Sequence, residues 1–253
     1  MTEDKHKGER IAKRIARAGL CSRRDAEKWI EKGRIKVNGK VITSAALNVT
    51  EGDKISVDGK ILGQKEETRL FLYHKPAGLV TSHKDEKDRD TVFDNLPDDL
   101  PRVISIGRLD LNTEGLLLLT NDGGLSRYLE LPETGWKRRY RVRVHGNVDP
   151  KKLERLKNGI KVGGIQYKSI EASIDDLPEG GSKITKNTWL TVAIREGKNR
   201  EIRKIMEALG LRVTRLIRTD YGPFSLGNIP RGQVLEVKPH ILSQQIQGYF
   251  KNK

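Results

Sequence analysis

The chain has 253 residues, long enough for one large domain or for a catalytic domain with a small appendage, and long enough to bury a real core. Its 49 Lys and Arg against 34 Asp and Glu leave a net charge of +15, a surplus that points to a polyanionic partner, most often nucleic acid. No window approaches the roughly 18 apolar residues of a membrane helix, the N-terminus lacks the apolar core of a signal peptide, and the one cysteine, Cys21, can close no intrachain disulfide, so a cytoplasmic protein without structural zinc is expected.

The first segment, "GERIAKRIARAGLCSRRDAEKWIEKGRIKVNGKVI", predicts two short helices followed by strands. Ile11, Ala12, Ile15, Ala16 and Ala18 form a narrow apolar stripe, and Gly19 is placed to end that helix. Ser22 with Asp25 three residues on resembles a capping box, after which Ala26, Trp29 and Ile30 supply a second buried face. The period then changes to two, around Asn38-Gly39 and again around Asp58-Gly59, the strongest short hairpin signals. Charge is concentrated here: Arg10 to Lys40 carry eleven Lys and Arg against three acids, a net +8.

Residues 63–69, "GQKEETR", read as a polar linker, and a second composition begins at Leu70. "LFLYHKPAGLVTS" predicts a buried strand, a turn and another strand; "KDEKDRD" predicts a charged loop; "DTVFDNLP" predicts a short helix. In "SIGRLDLNTEGLLLLTNDGG" the run Leu116–Leu119 has strand length and no polar face, which predicts a strand buried on both sides. "RRYRVRVHG" is a strand, "DPKKLERLKNGI" a helix with Asp149 as N-cap and Pro150 at its first position, and "TWLTVAIREG" a strand. "NREIRKIMEALG" predicts an amphipathic helix with Ile202, Ile205, Met206 and Leu209 on one face. Strands in "LRVTRLIRTDYGPFSL" and "GQVLEVKP" close an α+β domain, and 243–253 remain as a basic and polar tail.

Taken alone, an Asp six residues ahead of a buried strand is a turn or cap residue. The longer pattern changes that reading. "GRLDLNTEGLLLLTNDGG" closely resembles the active-site motif of pseudouridine synthases, in particular the ribosomal-RNA enzymes typified by RsuA and RluB, and within them the large-subunit type. "KPAG" at 75–78, "RRYRVRVHG" at 138–146 and "REGKNREIRKIMEALG" at 195–210 follow in that family's order. Residues 8–62 resemble the alpha-L RNA-binding module of a ribosomal protein, which this family usually carries. Two departures stand out: His74 where the family more often has Asn, and Glu201 where it more often has Gln.

The resemblance implies an α+β fold with an N-terminal alpha-L module over 8–62, a linker over 63–69, and a catalytic domain over 70–242 with mixed, largely antiparallel sheets. It implies isomerisation of a uridine in ribosomal RNA, with ribosomal RNA or an assembly intermediate as partner, a monomer, and neither metal nor cofactor; no phosphate loop or dinucleotide fingerprint contradicts this. Asp110 would be the catalytic aspartate, adding to C1′ of the ribose or abstracting a 2′ proton; either role needs an ionised carboxylate in a site closed to water. Arg203 would be the cation that offsets the cost of burying it. Tyr140 would stack on the extruded uracil, Arg108 would occupy the gap the nucleotide leaves, and Leu216 would pack on the other side of the site, with Ile217 adjacent. Arg10, Lys13, Arg14, Arg17, Arg23, Arg24 and Lys28 would face phosphate. The alternatives are a non-catalytic RNA-binding assembly factor on the same fold, or small-subunit RNA as substrate. A metal-dependent nuclease would need a carboxylate cluster that the motifs do not supply.

Overall fold

In the computed structural model, which describes residues 8–63, 66–175 and 187–251, the first helix spans Ile11–Arg17 and ends where Gly19 takes a φ of 78°. The second spans Arg23–Glu31, and its start is fixed by the Ser22 hydroxyl, which accepts from Asp25 N at 3.1 Å. Ile11, Ala12, Ile15, Ala26 and Ile30 pack with Ile35, Val37, Ile55 and Val57 into one core. The Ile35–Val37/Lys40–Val41 and Ile55–Val57/Lys60–Ile61 hairpins form a four-stranded antiparallel sheet. Both turns have positive φ at their two central residues, Asn38-Gly39 and Asp58-Gly59, as a type I′ turn demands.

Two compact units emerge, with the described residues up to Arg69 joined by Asp99–Ile104 and Asn121–Gly123 in the first, and the remaining described residues in the second. Of the segment expected as a linker, residues 64–65 lie outside the described residues. Glu66–Arg69 are held in place: Asn121 Nδ2 donates to Glu67 O at 2.9 Å, Asn121 Oδ1 accepts from Arg69 N at 2.9 Å, and Thr68 donates to Asp122 at 2.7 Å. The "TNDGG" turn is therefore a clamp as well as a strand end.

The second unit is built on a mixed sheet in the order Glu171–Ile174, Asn187–Ile194, Arg138–His145, Arg212–Tyr221, Glu114–Thr120, Leu70–Lys75, Val234–Glu236. The chain is α+β, and every pairing along this path is antiparallel except that of Arg212–Tyr221 with Glu114–Thr120. Leu116, Leu117, Leu118 and Leu119 are all fully buried, because the strand is central and covered on both faces. Helix Glu201–Ala208 lies on one face through Ile202, Ile205 and Met206, and Gly210 follows its end with a φ of 79°.

Three features differ from the sequence pattern. The second strand after "KPAG" reduces to a single bridge between Val80 and Thr91. An additional hairpin, Ile160–Val162/Ile165–Tyr167, turns on Gly163-Gly164. The segment expected as a polar tail forms helices Pro239–Gln245 and Gln247–Lys251; Leu242 and Ile246 are buried in the core around Leu116, and Tyr249 and Phe250 pack against it. Residues 252–253 lie outside the described residues. Among the described residues no helix is long and apolar enough to cross a membrane.

Candidate active site

The parallel pairing of Arg212–Tyr221 with Glu114–Thr120 places Arg218 beside Gly115 and Ile217 beside Glu114, directly after the loop Gly107–Thr113. Gly115 has a φ of 102°, and a Cβ there would lie 2.2 Å from Arg218 O and 2.7 Å from Arg218 N. Only glycine allows the two strands to approach so closely. Next to it, Glu114 accepts both Arg215 Nε at 2.7 Å and Nη2 at 3.0 Å, and pairs with Arg231 at 3.2 Å. The Arg215 hydrogen bonds hold the Glu114 carboxyl below its ordinary range, against burial.

The loop itself is anchored through its carbonyls. Thr81 Oγ1 donates to Leu109 O at 2.9 Å, and Gly78 N donates to Leu111 O at 2.8 Å. Arg203 Nη2 donates to Asn112 O at 2.9 Å. The ammonium of Lys75, with no exposed surface, donates to Pro76 O at 3.0 Å, Asp110 O at 3.3 Å, Leu111 O at 3.3 Å and Thr113 O at 3.0 Å. Thr113 N closes a turn onto Asp110 O at 2.9 Å. Each carbonyl from Leu109 to Thr113 thus has a donor, and "KPAG" supplies two of the anchors. Burial pushes Lys75 down to about 8, with Asp110 and Glu114 opposing the shift.

With the backbone fixed this way, the Arg108 side chain is exposed and the Asp110 carboxylate opens into a cavity of about 490 Å³. Tyr140 and Leu216 line the same cavity, buried to 8% and 5% exposure, as do Arg108 and Arg203. The side chain at 216 faces the cavity, whereas Ile217, one residue on and therefore on the opposite face, packs against the leucine core. Five residues chosen from four separated segments converge on one space.

Arg203 has a different partner from the one expected. The ion pair to Asp110 comes from Arg200, Nη1 to Oδ2 at 3.8 Å. Arg203 lies in the first turn of the helix, where side chains lean toward the N-terminus, and it reaches the Asn112 carbonyl while acting on Asp110 only through its charge. Burial, then the neighbouring Arg200, lower the Arg203 pKa, and Asp110 opposes this. Arg200 achieves its reach from a left-handed backbone, φ 52°, which is strained for a residue with a Cβ.

Glu201 is 3% exposed; its carboxylate accepts from Lys198 N at 2.9 Å, and among the described residues Oε1 has no hydrogen-bond partner. Burial raises its pKa to about 7, with the Lys198 N–H opposing the shift. His74 Nδ1 lies 2.6 Å from Ile229 O, and its charge acts on Glu114.

In the first unit, Arg23, Arg24 and Lys28 project from the second helix and are exposed. The first helix is more engaged internally: Lys13 and Arg17 both pair with Glu9, at 3.2 and 2.9 Å, and the Arg10 guanidinium donates to Ala46 O. Arg14 is half-buried.

Sequence reasoning assigned no role to Lys75, Arg200 or Arg218. A Lys closing the otherwise apolar "LFLYHK" was a readable signal for a buried charge; the left-handed turn that aims Arg200 had none.

Comparisons with known proteins agree on one group. Residues 69–208 match the family model described as RNA pseudouridylate synthase, and residues 9–55 match the S4 domain. A protein of Rickettsia bellii named as an uncharacterized RNA pseudouridine synthase is 51% identical over 229 residues, covering 90% of this chain and 96% of the relative. A protein of Salmonella typhi named ribosomal large subunit pseudouridine synthase B is 43% identical over 233 residues, covering 88% of this chain and 77% of the relative. A solved pseudouridylate synthase superposes with a TM-score of 0.65 at 26% identity, covering 94% of this chain and all of its own.

Proposed function

Because this chain belongs to the RNA pseudouridylate synthase family, we propose that it isomerises a uridine of large-subunit ribosomal RNA to pseudouridine, with Asp110 as the catalytic group. The observation that carries the assignment is the convergence of Arg108, Asp110, Tyr140, Arg203 and Leu216 on one cavity. The large-subunit substrate is supported by the names of the relatives from Pasteurella multocida and Salmonella, 42% and 43% identical.

In this reading the target nucleotide leaves its stack at a cost of about a few kcal/mol, and its base enters between Tyr140 and Leu216 while Arg108 takes up the space left behind. Asp110 acts on the ribose, either at C1′ or at the 2′ proton. In both cases the C1′–N1 bond breaks, the electron pair leaves with the ring, and the ring turns; as C5 bonds to C1′, Asp110 leaves C1′ or returns the proton to C2′, C5 gives up its proton and N1 takes one up from solvent. Atoms balance without a co-reactant. The carbonyl anchors fix Asp110, and displacement of a reacting group by about 1 Å can cost about 100-fold in rate. Exposed Arg23, Arg24 and Lys28 of the S4 domain are suited to phosphate.

Tritium release from deproteinised ribosomal RNA labelled at uridine C5 tests the assignment. Wild-type protein should release tritium and Asp110→Ala should not. Absence of release by wild type on any ribosomal RNA or assembly intermediate would leave the non-catalytic RNA-binding reading, and equal release by Asp110→Ala would remove that residue from the mechanism.

A further inference from the structure

Arg218 carries a cost that the residues around it do not relieve. Its side chain is 2% exposed, it lines the cavity, and among the described residues it forms no ion pair. Nε donates to Leu116 O at 2.7 Å, the guanidinium lies 5.2 Å from the Tyr221 ring centroid, and Nη2 is buried with no hydrogen-bond partner. Glu130, in the same cavity wall, accepts at its Oε1 from the Ser126 hydroxyl at 2.6 Å. A buried guanidinium without a counter-charge is costly unless something in the working complex compensates it.

Its position says what that is. In the antiparallel pairing of Arg138–His145 with Arg212–Tyr221, Arg218 is the direct partner of Tyr140, so the two side chains stand side by side on the cavity face. A ring lying on Tyr140 brings its edge to Arg218. We infer that Arg218 is a catalytic residue of the reaction, its guanidinium holding a uracil carbonyl and stabilising the negative charge that the ring takes up as C1′–N1 breaks. The inference rests on the reading that Tyr140 stacks the target uracil.

The electron pair of the broken bond enters the ring at N1 and is delocalised onto O2 and O4, so a fixed cation at a carbonyl is worth more in the transition state than in the bound substrate. It returns to C1′ through C5; the proton lost from C5 goes to solvent and N1 takes one up from solvent. The contacts to Leu116 O and Tyr221 hold the guanidinium before substrate arrives, and they are independent of Asp110 and Arg200.

The test uses full-length protein in excess over large-subunit ribosomal RNA transcripts made with uridine or with 5-fluorouridine, whose electron-withdrawing fluorine stabilises the departing ring. Loss of the target nucleoside is followed by nuclease digestion and mass spectrometry. For Arg218→Gln the single-turnover rate on uridine should fall about 100-fold or more while RNA affinity changes by less than about threefold. The defect should be at least about tenfold smaller on 5-fluorouridine, and Arg218→Lys, which keeps the charge, should recover part of the rate. Thermal melting checks folding, and if the Gln variant is unfolded the Lys variant is compared on the two RNAs in the same way. Equal slowing on both RNAs, or a loss confined to affinity as for a phosphate contact, overturns the inference. Failure of wild-type protein to convert uridine would overturn the parent reading; failure of Arg218→Gln to slow it overturns only this one.

Discussion

Replacing Lys75 by Met keeps an unbranched side chain one atom shorter at a fully buried position and removes its charge and its donors. Two opposing consequences can be separated by pH. The carbonyls of Pro76 and Thr113 lose their Lys75 donor, at about 1–3 kcal/mol each, while the cost of holding an ammonium out of water disappears. Burial places the folded-state pKa at about 8, below the ordinary 10.5. A depressed lysine is protonated more readily in the unfolded chain, so wild-type stability is lowest below about pH 8 and rises toward pH 10.5, by about 2 kcal/mol between about pH 7.5 and pH 10. Lys75→Met lacks that increment. Urea unfolding of both proteins at those two pH values should show it as a difference of differences, because all other groups titrate in common. Activity should run the other way: as Lys75 loses its proton it loses an N–H from the Asp110 loop, so wild-type turnover should fall above about pH 8, while the variant is slow throughout by about 100-fold. Identical pH slopes of stability in the two proteins would refute the idea that a charged Lys75 holds the loop.

Glu201→Gln should raise stability above pH 7 and leave it unchanged near pH 4.5: burial lifts the folded pKa to about 7, so wild type loses up to about 3 kcal/mol as pH rises from 4.5 through 7, and an amide can still accept from Lys198 N. Urea unfolding at pH 5 and pH 8 checks this. Gly115→Ala should cost at least about 4 kcal/mol or prevent folding, because its Cβ meets Arg218 backbone at 2.2 Å, whereas Gly107→Ala, with a φ of 67° and nothing within 4 Å, should cost about 1–2 kcal/mol; thermal melting compares them. Replacing Arg23, Arg24 and Lys28 together by Gln should flatten the dependence of log affinity for ribosomal RNA on log salt by about two to three, and the same changes at Lys13 and Arg17, paired with Glu9, should flatten it less.

The parts of the fold that were legible are those whose cause is local. Asn38-Gly39 and Asp58-Gly59 allow few alternatives to a type I′ turn, Ser22 caps whatever helix follows it, and four successive leucines need cover on both sides. The C-terminal helices were equally readable in principle: Leu242, Ile246, Tyr249 and Phe250 recur at helical spacing, although the glutamines between them suggest a polar tail. The Ile160–Val162 hairpin is too short for periodicity to register, and the failed strand after "KPAG" depended on a partner only the fold could supply or withhold. At the site, motif resemblance selected residues that share a cavity, but it could not say which cation meets Asp110. That is decided by a left-handed turn at Arg200 and by the competing carbonyl of Asn112, neither of which has a signature in residue type.

The distribution of anchors around the motif explains how the Arg108 and Asp110 side chains stay available, as the proposed mechanism requires, beside leucines that are fully buried. A loop held through its side chains has those side chains occupied; one held through its carbonyls leaves them free while fixing where they start. Thr81, Gly78, Lys75, Arg203 and Thr113 all act on backbone oxygen, and among the described residues the polar contact to the Asp110 carboxylate is a 3.8 Å ion pair from an exposed arginine. That pair is long and solvent-exposed, so it is worth about 1 kcal/mol or less and yields readily to a ribose. The strong, buried interactions are therefore the ones that do not have to break for substrate to bind, and the weak one is the one that does. An Asp110 bound tightly by a buried arginine would be better ordered and slower, because each turnover would begin by uncovering a buried charge.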